Sequence, residues 1–241
     1  MEIIFDNNYY DWKFLNLVEF LNYHTPAGWY DFFQQEHIQE QILKISNFLK
    51  YEASNNVTIY PKINNVFRSL YCIDVSSIKL VIIGQDPYHN GPATGLAFDV
   101  PSFYSTSPSL RNILKEVVDC GYTGHRDLSN WVTQGVLLLN TALTVREACP
   151  GSHTEIWEDF TINLIEYIVK SQNKLVWLLM GSFAQQFKQY IPKSHIYICT
   201  THPSPLSALR STKSTPAFIG SKCFKSINDS LIKLNHDPID F

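Results

Sequence analysis

Four short, almost uninterrupted apolar runs constrain this chain more than any other feature: IKLVIIG (78–84), GVLLLN (135–140), KLVWLLMGS (174–182) and HIYICT (195–200). None alternates polar with apolar residues, so none suits a strand with one wet face. Helical patterns separate them: SLRNILKEVV (109–118), TEIWEDFTINLIEYIVK (154–170), with Ile156, Phe160, Leu164 and Ile168 on one stripe, and FAQQFKQYI (183–191). Buried strands alternating with helices predict an α/β fold: a central four-stranded, mainly parallel, twisted sheet with helices on both faces. Upstream, Ile38, Ile42, Ile45 and Leu49 recur at helical spacing. The expected organisation is one domain over 1–241 with an N-terminal helical portion at about 1–57, and IYPKINNVFRSL turning into a further helix.

Each apolar run empties into small or polar residues: Gln85 and Asp86, then Asn140, then Gly181 and Ser182, then His202. Ligands of open α/β sheets bind at the carboxyl ends of the strands, so this topology brings a carboxylate, an amide, a hydroxyl and an imidazole to one rim. Taken singly these residues mean little. Asp-Pro starts many turns, an asparagine often caps the next segment, and THPSPLS (201–207) reads as a loop stiffened by prolines. Their recurrence at successive strand ends is what points to a site.

Composition narrows the partners. A hydrophobic fraction of 45% and an aromatic fraction of 14% fit a packed globular chain. A net charge of −3 excludes a broad basic face, so any nucleic acid must be gripped locally by loops and helix ends. The five cysteines are scattered and odd in number, with no C-x-x-C pair, which argues against a disulfide framework and a zinc site. No Walker or dinucleotide fingerprint occurs, so no cofactor and no metal is expected. MEIIFDNNYYDW lacks a signal-like pattern and no apolar run spans a bilayer, so the expectation is a soluble protein with no membrane partner.

The segments GQDPYH (84–89), GLAF (95–98), QGVLLLNTALTV (134–145), GSHTEIWEDFT (151–161), LLMGSFAQ (178–185) and HPSPLS (202–207) together resemble family 1 uracil-DNA glycosylases. The likeness runs from IYPKINNVF to the terminal DPIDF. It implies a DNA repair hydrolase that flips uracil out of DNA and breaks its N-glycosidic bond, leaving an abasic site. By that resemblance Asp86 is the catalytic carboxylate, and His202 stabilises the departing uracil anion. Asn140 reads uracil N3–H and O4, Phe98 stacks on the base, Tyr88 excludes thymine's methyl, and Gln85 orders the loop through its backbone. Ser109, Ser182 and Ser204 match phosphate-gripping positions, and Leu206 matches the wedge that enters the duplex.

Three departures accompany the likeness. NGPAT after His89 is one residue shorter than the commonest form and lacks its Gln-Ala-His, Met180 stands where tryptophan is frequent, and SALRSTKSTPAFIG after Leu206 is extended. A lengthened leucine loop is similar to that of gammaherpesvirus members. The implied partners are uracil-containing single- and double-stranded DNA, a replication or polymerase complex and a proteinaceous inhibitor, with the protein itself a monomer. The implied location is the nucleus (the host nucleus for a viral protein) or the cytoplasm for a bacterial one. Two other readings exist: a non-enzymatic relative serving as a DNA-binding or polymerase-accessory subunit, and an unrelated hydrolase using Ser182 or Ser204. Neither serine sits in a G-x-S-x-G turn, and the joint presence of Asp86, Asn140 and His202 favours the enzyme.

Overall fold

The computed structural model describes residues 12–241 except 14 and 92, so most of the first dozen residues of the expected helical portion lie outside the described ones. Helices α1 (Leu17–Tyr23), α2 (Tyr30–Phe33) and α3 (Glu36–Ser54) come first, followed by strand β1 (Ile59–Tyr60) and helix α4 (Arg68–Tyr71). Strand β2 (Leu80–Gly84) leads through a long loop to α5 (Pro108–Asp119), then α6 (Ser129–Thr133), β3 (Val136–Asn140) and β4 (Val145–Arg146). Helix α7 (Thr154–Ser171), strand β5 (Val176–Met180), helix α8 (Gly181–Gln185), strand β6 (Ile196–Thr200) and helix α9 (Cys223–Lys233) follow.

The four apolar runs form one sheet in the order β3-β2-β5-β6, and every pairing in it is parallel. Strands β2, β3 and β5 are buried along their whole length, which requires cover on both faces and explains their unbroken apolar sequence. Strand β6 lies at the edge and is half-buried. In register, Gly84 stands opposite Asn140 and Met180 opposite Thr200, so the carboxyl ends of all four strands reach one rim. The predicted sheet is therefore the observed one.

Aromatic packing fastens the N-terminal helices to the rest. Phe33 meets Phe67 at 5.3 Å, Phe67 meets Trp157 at 6.1 Å, and Phe32 meets Phe160 at 5.6 Å between ring centroids, mostly edge to face. In α3 the stripe of Ile38, Ile42, Ile45 and Leu49 is buried as its spacing predicts.

Elsewhere local detail departs from expectation. In α7 it is Trp157, not Ile156, that heads the buried stripe above Phe160, Leu164 and Ile168, because the larger ring fills the aromatic cluster. FAQQFKQYI divides into the end of α8 and a 3₁₀ turn over Gln186–Tyr190. A two-residue antiparallel pair, β1 with β4, adds a small ribbon that the four-run pattern does not contain.

Candidate active site

The rim gathers the strand-end residues by a chain of close contacts. At the end of β3, Asn140 is 5% exposed, and its carboxamide forms no hydrogen bond with any described residue. Gly84 makes room for it: a Cβ there would lie 2.3 Å from Asn140 Oδ1 and 3.0 Å from Ala97 Cβ. Ala97 N–H donates to Leu138 O of β3 at 3.2 Å, which carries its neighbour Phe98 to the same edge. Phe98 holds φ at +66°, a backbone region that bulky residues rarely adopt, and its ring lies 6.2 Å from that of His202. Such strain at an aromatic persists where the surroundings fix the ring in one place.

Tyr88 is locked beside it. The carbonyl of Phe98 can only accept, so the Tyr88 hydroxyl donates to it at 3.2 Å and takes a hydrogen from Ser107 Oγ at 2.6 Å. Ser107 in turn accepts from Leu110 N–H, capping α5, with Pro108 in the first turn. The cap is thus Ser107. Ser109 lies inside the first turn of α5 and is partly exposed.

Asp86, half-buried, accepts the backbone N–H of Gly151 on Oδ2 at 2.6 Å. Burial raises its pKa above the ordinary 3.8, opposed by the Gly151 N–H and the nearby His89. Gln85 is exposed, and its carbonyl takes Ala142 N–H and Thr141 Oγ–H at 2.9 Å each, pinning the β2 loop onto the β3 loop.

His202 follows β6. The backbone N–H of Ser204 donates to its Nδ1 at 3.1 Å, and burial holds its pKa below the ordinary 6.5. Both facts select the neutral ring with its proton on Nε2, which has no partner among the described residues. Gly181 at φ +87° lets the β5–α8 turn pass under it, since a Cβ there would sit 2.9 Å from His202 Cβ. Ser204 Oγ pairs with Ser207 Oγ at 3.0 Å and Ser182 is exposed at the start of α8, so neither hydroxyl is set against the imidazole as a nucleophile would be.

Leu206 is 80% exposed at the head of this loop. The extended segment behind it folds back onto Thr201, whose N–H donates to Pro216 O at 3.0 Å and whose hydroxyl donates to Ser207 O at 3.0 Å. Arg210 and Lys213 point into solvent on that segment. Packing beneath its own loop is therefore excluded for Leu206. Leu206→Ala is expected to leave the melting temperature within the small range of surface substitutions, yet, if the wedge role implied by the resemblance holds, to slow excision from duplex DNA about tenfold and from single strands less. Matched duplex and single-stranded substrates check this, and an equal loss on both would remove Leu206 from the wedge role.

Sequence reasoning missed Glu52. This α3 residue is 4% exposed and reaches both ends of the loop that holds Asp86. One carboxylate oxygen takes the Arg146 guanidinium and the other lies 2.8 Å from His153 Nε2. Trp157 N–H donates to Thr144 Oγ, and Thr144 pairs with His153 Nδ1 at 2.8 Å, so a neutral His153 satisfies every member of the chain. A cleft of about 630 Å³ at the opposite, amino end of the sheet, lined by Lys79, Gln134 and His236, shares no residue with this rim.

Residues 73–231 match the uracil DNA glycosylase superfamily. The chain belongs to that superfamily. A uracil-DNA glycosylase of Streptococcus gordonii is 40% identical over 220 residues, covering 89% of this chain and 98% of the relative. Among solved structures, mimivirus uracil-DNA glycosylase aligns with a TM-score of 0.84 at 26% identity, covering 98% of this chain and 96% of that one. A single-residue variant of mimivirus UNG in complex with UGI aligns at 0.86 and 27% identity, covering 95% and 91%.

Proposed function

We infer that the protein is a uracil-DNA glycosylase, which releases uracil from DNA by hydrolysis and leaves an abasic site. The observation that carries this reading is the unpaired, nearly buried carboxamide of Asn140 at the rim by Gly84 and Ala97, whose neighbour Phe98 has its ring 6.2 Å from that of His202. Its oxygen accepts uracil N3–H and its NH₂ donates to O4, while Phe98 stacks on the ring. Cytosine presents the reversed pattern and would leave buried groups unpaired. The Tyr88 ring, fixed through Ser107 and Phe98, is the group that excludes a methyl at C5 in this reading.

As the bond from C1′ to N1 lengthens, negative charge gathers on uracil O2 and positive charge on the deoxyribose. His202 Nε2–H donates to O2, and the neutral ring needs no proton transfer to do so. The Asp86 carboxylate offsets the sugar charge and orients the water that adds to C1′. Ser109, Ser182 and Ser204 hold flanking phosphates, and Leu206 fills the space the base vacates. The UGI complex of the mimivirus relative supports an inhibitor protein as a further partner.

The pH dependence follows from the two shifts. Asp86 loses its charge as pH falls through a value above 3.8, and His202 gains one as pH falls through a value below 6.5. Both events disable the site, so the single-turnover rate is expected to decline on the acid side alone. A rate that rose as pH dropped through the imidazole range would show that His202 acts as a cation. The direct test of the function is release of free uracil from an oligonucleotide in EDTA beside a thymine control. No release from the folded protein would leave the non-enzymatic DNA-binding reading.

A further inference from the structure

We propose that the loop 101–106 is a stacking platform for an unpaired nucleobase flanking the extruded uracil in single-stranded DNA. The proposal rests on the glycosylase reading and extends it to how the strand is held. Phe103 is 84% exposed and Tyr104 44% exposed, with ring centroids 5.0 Å apart. Three of the described large apolar side chains that are more than three-quarters exposed, Phe103, Leu206 and Leu209, lie on the two loops that border the candidate active site.

The loop begins just after Phe98 and ends at Ser107, so residues of the pocket hold it at both ends. Arginines brace it from behind. The Arg126 guanidinium donates to the carbonyls of Pro101 and Tyr104, and Arg111 donates to Thr106 O at 3.0 Å. Helix α5, which continues from the loop, is tied to the wedge segment by Asn112 Nδ2 donating to Pro203 O at 2.7 Å. Phe103 and Leu206 therefore stand on linked supports.

An aromatic ring held outward on a braced loop, in a chain of net charge −3 that offers little bulk attraction for phosphates, suits one ligand chemistry: a base with a free π-face. Bases in a duplex already have both faces occupied by their neighbours, so the platform serves unpaired ones.

The test compares the parent protein, Phe103→Ala and Phe103→Trp on uracil oligonucleotides, single-stranded and duplex. In a second single-stranded series, an abasic spacer replaces each flanking nucleotide in turn. Phe103→Ala is expected to weaken single-strand binding about tenfold, with duplex binding and melting temperature little changed, and Phe103→Trp is expected to restore it. At one flanking position the spacer should cost the parent about the same factor and cost Phe103→Ala nothing further. Unchanged single-strand affinity, equal losses on both substrates, a lowered melting temperature, or spacers that cost both proteins alike would each overturn the platform. Failure of the glycosylase reading itself would be distinct, appearing as a parent protein that binds but releases no uracil.

Discussion

Asp86→Asn is expected to slow uracil release by at least about 100-fold while leaving affinity for uracil-containing DNA close to that of the parent. The substitution is a clean one because the amide oxygen of asparagine can still accept the Gly151 N–H that now reaches Oδ2 at 2.6 Å. The loop stays anchored and only the charge is lost. In the proposed mechanism that charge meets the sugar cation, which exists in the transition state and not in the bound substrate, so the loss should fall on turnover and not on binding. Since burial already disfavours the ionised form, removing the charge should not lower the melting temperature. Near-parental turnover by a folded variant would take Asp86 out of the chemistry.

Asn140→Asp should cost uracil excision on the order of 10³-fold and collapse the selectivity for uracil over cytosine. A carboxylate sets two acceptors against uracil O4 and N3–H, so the contact with O4 turns repulsive. A carboxyl in that 5%-exposed position titrates upward, and its protonated form carries one donor and one acceptor. That pair matches cytosine N3 and N4–H₂. Relative to the acid-side decline that Asp86 and His202 impose on parent and variant alike, cytosine release by the variant is therefore expected to gain as pH falls. Single-turnover release of both bases across the acid range measures this, and retained uracil selectivity would show that Asn140 does not read the base.

The sheet was legible because β2, β3 and β5 are buried on both faces, and such strands advertise themselves as unbroken apolar runs. Their parallel alignment placed Asp86, Asn140 and His202 on one rim before any contact was known. Strand order was not legible, since nothing local in LVIIG says that it lies between VLLLN and VWLLM. Glu52 escaped notice for a similar reason: in FLKYEAS it looks like one more solvated residue of an amphipathic helix, and its partner lies 101 residues away. Ser107 was hidden behind Ser109, because STSPS offers several hydroxyls and only the cap geometry separates them. The exposure of Phe103 and Leu209 could not be read either. An apolar residue in a loop looks the same in sequence whether it is buried or bare.

The anchors of the rim span long stretches of chain: 65 residues between Asp86 and Gly151, 91 between Asn112 and Pro203, and 101 between Glu52 and His153. Contacts of such separation close late in folding, after the entropy of long loops has been overcome. The β2–β3 and β2–β5 pairings span 56 and 96 residues themselves, but they are buried along their length. The anchors of the rim are single hydrogen bonds at loops, so the loops open before the strands part. A partly opened chain would have a sheet and an apolar core but no assembled reaction centre. Loss of chemistry should accordingly precede loss of the sheet when the fold is loosened, and amide exchange at Gly151 would report the first opening.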